Sequence, residues 1–82
     1  MEDLKKALQE KKVIIGADRI LKKLRNGKLE RVYLSSNCPE ILKEDIKHLS
    51  KLHKIQVKEL KEDNEQLGLV CKKQFSISVL GY

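Results

Sequence analysis

The chain has 82 residues, with 18 Lys and Arg against 12 Asp and Glu and a formal net charge of +6. That length holds one domain with a small core, so amphipathic helices must share one sheet. Apolar residues recur at regular spacing, which argues against disorder; no apolar run reaches the length of a membrane span, and two cysteines are too few for a disulfide framework.

Asp3 to Lys12 reads as a helix, with Leu4, Ala7 and Leu8 on one face and lysines opposite. Val13-Ile14-Ile15 is a β-branched run that predicts a buried strand, ended by Gly16. Ala17, Ile20, Leu21 and Leu24 then share a helical face, and Asn26-Gly27 stops that helix with Gly27 as the left-handed residue. Arg31 to Ser35 is a second strand. Pro39 suits the first turn of a third helix, with Asn37 or Cys38 near its cap. That helix runs to about His53, with Ile41, Leu42, Ile46, Leu49 and Leu52 as its apolar side. Gln56 to Leu60 is a third strand. Glu62-Asp63-Asn64 forms a turn and cap before a short helix carrying Leu67, Val70 and Cys71. Lys72-Lys73-Gln74 is a loop, and Phe75 to Leu80 a last strand with one buried face. The order α-β-α-β-α-β-α-β predicts a mostly parallel or mixed sheet between helical layers.

The charge is unevenly spread. Residues 1–39 hold ten Lys/Arg against five Asp/Glu, residues 40–65 six against seven, and residues 66–82 two against none. A solubility coat would be mixed throughout, so the map favours a basic face for nucleic acid. Two strand-to-helix junctions, Ile15-Gly16-Ala17 and Leu34 to Glu40, can each offer free helix N-terminal N–H groups to an anion. Aromatics are few (Tyr33, Phe75 and Tyr82), too few for a single-strand stacking platform. The expected ligand is therefore read through backbone, shape or a few exposed bases.

Taken in order, Gly16-Ala17, the basic Asn26-Gly27-Lys28 turn, Ser35-Ser36-Asn37-Cys38-Pro39, Lys43-Glu44-Asp45-Ile46 and Leu67-Gly68 match a known family. The chain resembles the kink-turn-binding superfamily of archaeal and eukaryotic large-subunit ribosomal proteins (the L-seven-Ae and L-thirty-e types) and their short bacterial relatives. The Ser-Asn-Cys-Pro piece looks most like the thirty-e branch. The resemblance covers nearly the whole chain. It implies an α/β fold, a three-layer α/β/α sandwich with a four-stranded mixed sheet, forming a single RNA-binding domain over residues 1–82. It implies that RNA lies across three segments: Gly16, Ala17, Asp18, Arg19 and Lys22; Asn37 and Cys38; and Lys72, Lys73 and Gln74, with Phe75 close by. Kink-turn binders of this type carry Asn-Glu after the Gly-Ala. Here Asp18 and Arg19 stand there, and Lys22 is kept. That departure favours a variant ribosomal RNA kink over the standard one.

Chemistry supports such a site. A kinked RNA crowds phosphates of two stems, and that repulsion must be neutralised. Gly16 permits close backbone approach, Arg19 and Lys22 can clamp phosphates, and Asn37 can bond an extruded base or a 2′-OH. Asp18 is either an RNA contact or a helix cap. Phe75 reads as core more than as a stacking ring, and Cys71 as core. Lys43, Lys47 and Lys51 alternate with Glu40, Glu44 and Asp45 as a solvated face with pairs along one helix. Cys38 near a helix N-terminus raises the idea of a thiol enzyme, but no partner residue supports it. His48 and His53 are five apart and, with two cysteines, form no zinc pattern. The expectation is a non-catalytic protein that stabilises a kinked or internal-loop RNA, with no cofactor, metal or membrane. It would be cytoplasmic, ribosome-associated and a monomer off the RNA. The alternative is a protein-interaction module on the same fold with a decayed RNA site.

Overall fold

A computed structural model describes residues 2–10 and 13–82. Four helices and four strands alternate: α1 Glu2–Gln9, β1 Ile14–Ile15, α2 Ala17–Arg25, β2 Arg31–Leu34, α3 Glu40–Leu52, β3 Gln56–Glu59, α4 Asn64–Val70 and β4 Val79–Gly81. The expected order holds. Helix α1 ends at Gln9, and the expected continuation through Lys11 and Lys12, like the side chain of Leu4, lies outside the described residues.

The four strands form one mixed sheet in the order β1-β4-β2-β3. The last strand in sequence is thus an interior one. It runs antiparallel to β1, with Ile15 opposite Leu80, and antiparallel to β2, with Leu34 opposite Val79. Strand β3 lies parallel to β2, which needs a crossover, and α3 provides it.

Alternation along the strands sends neighbouring residues to opposite faces. Val32, Leu34 and Val79 join Ile20 and Leu24 of α2 and Ile46 of α3 in one core cluster. Tyr33 and Leu80 join Leu67 of α4, Cys71 and Ile77 in the other, with Leu8 of α1 packed against it. This division supports helices on both sides of the sheet. Cys71 is buried as expected.

The helix ends differ from the sequence reading in instructive ways. Helix α2 is capped by Gly16 at φ 111, without a side-chain bond, so Asp18 is a first-turn residue and not the cap. Its other end closes as expected on Gly27 at φ 64. Gly27 N–H donates to the Leu24 carbonyl and Lys28 N–H to that of Lys23, the paired bonds of a Schellman turn. Pro39 is the N-cap of α3 rather than its first helical residue. Its ψ of 137° is extended, and its carbonyl accepts the first helical bond from Lys43 N–H. Helix α4 carries a full capping box, with Asp63 and Gln66 bonding each other's backbone N–H.

Two apolar assignments on α3 are corrected. Ile41 and Leu52 are exposed, at 78% and 66%. Ile46 and Ser50 are the buried positions of α3 and set its inward direction, with Leu42 and Leu49 on its flank; at 100° per residue Ile41 and Leu52 fall about 140–160° away from it. The buried Ser50 hydroxyl has no partner. The last strand also starts later than alternation suggested, at Val79 instead of Phe75. The preceding segment bonds elsewhere: Ile77 N–H donates to the Asn64 carbonyl of α4.

Both thiols are buried, and desolvation is the main force pushing each up from its ordinary value. For Cys38 this outweighs the opposing Lys43 charge. Burial thus opposes thiolate formation at both positions.

Two outcomes follow from this packing. Ser50→Ala removes a buried hydroxyl that has no partner, in a helix that prefers alanine, and is expected to stabilise the fold by about 1 kcal/mol, read by chemical denaturation. Cys38 and Cys71 are expected to alkylate more slowly than a free thiol in the native protein and at the free rate once unfolded. Because their folded pKa values are raised, the neutral thiols favour the fold below the ordinary thiol pKa. That contribution is lost as pH rises through the folded values, so thermal stability should decline on the alkaline side.

Candidate RNA-binding surface

Strand direction decides where the functional segments meet. Because β4 is antiparallel to both neighbours, its start lies beside the ends of β1 and β2. The chain leaves β1 into Gly16, leaves β2 into Ser35, and enters β4 from the loop after α4. All three connections therefore gather at one end of the sheet. Backbone bonds hold them there: Gly16 N–H donates to the Val79 carbonyl and Ser35 N–H to that of Ser78.

An open cleft of about 720 Å³ occupies this end. Gly16, Ala17 and Arg19 line it from α2, Pro39 and Leu42 from α3, and Lys73, Phe75, Ser76 and Ser78 from the loop before β4. Val13, Ile15, Ile77 and Val79 complete the lining. No side chain caps α2, so its first-turn N–H groups keep no side-chain acceptor from the protein. Arg19 and Lys73 are exposed and make no ion pair among the described residues.

Of the residues expected in the site, Gly16, Ala17, Arg19 and Lys73 share this cleft. Lys22 lines an adjoining concavity with Arg19, Lys23, Asn26 and Lys28. Gln74 lies beside the cleft with Lys73, Phe75 and Ser76, where Glu65 and Leu69 also contribute. Lys72, at φ 58, lines a different hollow with Leu8, Gln9, Val70 and Cys71. Asp18 is exposed but lines none of these surfaces.

The loop between β2 and α3 behaves differently from the sequence reading. Cys38 is buried in the first core cluster, and its N–H donates to the Ser35 carbonyl at 3.2 Å. The Asn37 amide is engaged: its Nδ2 donates to Asn64 Oδ1 at 3.0 Å, and its Oδ1 accepts Asn64 N–H at 2.9 Å. Asn64 in turn accepts from Ile77 N–H at 2.9 Å through its carbonyl. One residue at the start of α4 thus ties the loop leading into α3 to the segment leading into β4.

Phe75 needs correction. It is 57% exposed and lines the cleft instead of filling the core. Its polar neighbours, Lys73-Gln74 before it and Ser76 after it, were the available signal. Gly68 explains the position: a Cβ there would lie 2.2 Å from the Phe75 carbonyl oxygen, so the loop rests directly on α4 backbone. Lys73 N–H donates to the Gly68 carbonyl at 2.8 Å and fixes the same approach.

The lysines of α3 are also placed differently. Lys43 and Lys47 both reach Glu59 of β3, at 2.6 and 3.1 Å, instead of pairing along their own helix. The bond to Glu59 raises the Lys43 pKa, and the bonds to Lys43 and Lys47 lower that of Glu59. Among the described residues no group of three or more His, Cys, Asp or Glu could hold a metal ion, and no helix is long and apolar enough to cross a membrane.

Comparison with known proteins agrees with this geometry. A 39% identical relative over 79 residues is the large ribosomal subunit protein eL30 of Sulfolobus acidocaldarius, covering 96% of this chain and 76% of the relative. The eL30 of Methanothermobacter thermautotrophicus is 41% identical over 68 residues, covering 83% and 69%. That of Oryza sativa subsp. japonica is 32% identical over 77 residues, covering 94% and 69%. A solved structure of a protein of unknown function from Bacillus halodurans C superposes with a TM-score of 0.82 at 24% identity, over 92% of this chain and 74% of that one, and so shares its fold. The family described as Ribosomal protein L7Ae/L30e/S12e/Gadd45 matches residues 1–82. With its residues matched from end to end and its relatives alike over most of their length, the chain belongs to that family.

Proposed function

We propose that this protein is a non-catalytic RNA-binding component of the large ribosomal subunit, and that it holds a kinked or internal-loop RNA in the cleft at the end of its sheet. The carrying observation is convergence: segments around residues 16–19, 39–42 and 73–78 line one cleft whose rims bear unpaired cations. The eL30 relatives support the ribosomal setting, since their names place those proteins in the large subunit.

The chemistry is suited to a bend. Two RNA stems meeting at a kink bring phosphates together. Arg19 and Lys73 approach from different elements and neutralise both strands. The first-turn N–H groups of α2 add fixed donors. Phe75 offers one exposed ring, enough for a single unstacked base and not for a run of bases. Asn37, held by Asn64, supports the rim; Gly16 keeps the backbone accessible. Lys22 sits at the margin and meets phosphate, and Asp18, exposed in the first turn of α2 next to Arg19, is an acceptor for a purine edge. Lys72 and Gln74 contribute at the periphery.

A kink-turn RNA labelled at both stem ends reports bending by energy transfer. Bending with tight binding, and weak binding to a duplex of equal length, is expected. Equal, salt-sensitive binding to both RNAs overturns the reading. Arg19→Gln and Lys73→Gln should each weaken binding about tenfold and lower the salt slope by about one. Gly68→Ala tests the loop. Alanine normally favours a helix by about 1 kcal/mol over glycine, yet here it must push the Phe75 carbonyl away. A loss of about 1–3 kcal/mol in stability and weaker RNA binding are expected, measured by denaturation and titration.

A further inference from the structure

The Asn26-Gly27-Lys28 turn and Lys23 lie outside the cleft, and the reading above gives them no part. We infer that they form a second phosphate-binding surface, which takes the backbone of an RNA stem as it runs out of the cleft along α2. The inference rests on the cleft reading and extends it from the kink to the flanking duplex.

Three observations carry it. Arg19, Lys22, Lys23, Asn26 and Lys28 line one concavity together with Ile14, and no carboxylate contributes to it. None of the four cations makes an ion pair among the described residues. Arg19 lines both this concavity and the cleft, so the two surfaces are continuous. From Arg19 to Asn26 the helix rises about 10 Å, a length that spans a few successive phosphates.

The turn itself argues for an anion. Lys28 N–H is bonded to the Lys23 carbonyl at 3.1 Å, so the Schellman closure keeps both residues on one turn, where their exposed side chains add to a single positive surface. The helix C-terminus attracts cations and accounts for Lys23 and Arg25. It does not account for Lys28, which lies beyond the helix. Lys23 and Lys28 also line the hollow on the α1 side, where Lys6, Glu10 and Glu30 stand with them, so it is toward Arg19 and Lys22 that no carboxylate faces them. Lys43 and Lys47, by contrast, are neutralised directly by Glu59. A duplex stem meets the requirement, because its phosphates recur along a line and need no base-specific contact. Asn26 adds a neutral donor to the same track.

The test pairs a protein variant with RNA stem length. Lys23→Gln with Lys28→Gln removes both charges while keeping unbranched polar side chains, and its melting temperature confirms that the fold is retained. Three kink-turn RNAs serve as probes: one with both stems long, and two with one stem or the other cut back to the kink. On the long RNA the variant should bind about tenfold more weakly at moderate salt, with a salt slope lower by about two. Cutting back one particular stem should abolish that difference, and cutting back the other should leave it. A variant that binds all three RNAs like the wild type overturns the inference, as does an equal loss on all three. A wild-type protein that does not prefer the kinked RNA to a plain duplex overturns the cleft reading, and this inference with it.

Discussion

The structure depends on the insertion of β4 between β1 and β2. It is the last strand in sequence, and it pairs antiparallel with both early strands. Its register leaves no freedom at Gly81, where a Cβ would lie 2.5 Å from the Arg31 carbonyl oxygen. Tyr82 then closes the far end, its carbonyl accepting from Glu30 and Arg31 N–H. Once this strand is seated, its antiparallel direction brings its leading loop to the exits of β1 and β2. The site is a consequence of that topology: three loops far apart in sequence need no other force to collect at one end.

What topology collects, short polar contacts then shape. The Asn37–Asn64 pair and the Asn64–Ile77 bond join two of the three loops through the first residue of α4. The capping box at Asp63 and Gln66 fixes that residue in place. Gly68, one turn further along, lets the loop before β4 rest on helix backbone and turns Phe75 outward. A seven-residue helix thus contributes little to the cleft lining but sets the position of much of its rim.

The pattern of helices and strands was legible in the sequence because each element carried its own signal. β-branched runs marked β1, the Asn26-Gly27 stop ended α2, and Asp63 announced α4. The cleft residues Gly16, Ala17, Arg19 and Lys73 were legible through the family pattern. Other features turned on contacts that sequence spacing does not encode. Phe75 alternates properly with Ile77 and Val79, so it looked buried; only the bond of Ile77 to α4 takes that segment out of the ladder. Ile41 and Leu52 are apolar and near the right spacing, but the helix phase set by the buried Ile46 and Ser50 turns them to solvent. Asn37 looked free to read a base because its partner lies 27 residues away.

Electrostatics separates the two long helices in the same manner. Both α2 and α3 are rich in cations, although α3 alternates its lysines with Glu40, Glu44 and Asp45. Strand β3 distinguishes them, since Glu59 stands within reach of Lys43 and Lys47 and neutralises that face. No carboxylate lines the concavity along α2, where Arg19, Lys22, Lys23 and Lys28 gather. The net charge of +6 is therefore not a uniform coat but a directed surface, continuous from the cleft along one helix. Such a surface costs self-repulsion in the free protein, and a polyanion that follows its line relieves it. Burial of Cys38 beside this site has the opposite character: desolvation holds the thiol neutral, so the loop leading into α3 adds shape and hydrogen bonding but no charge of its own.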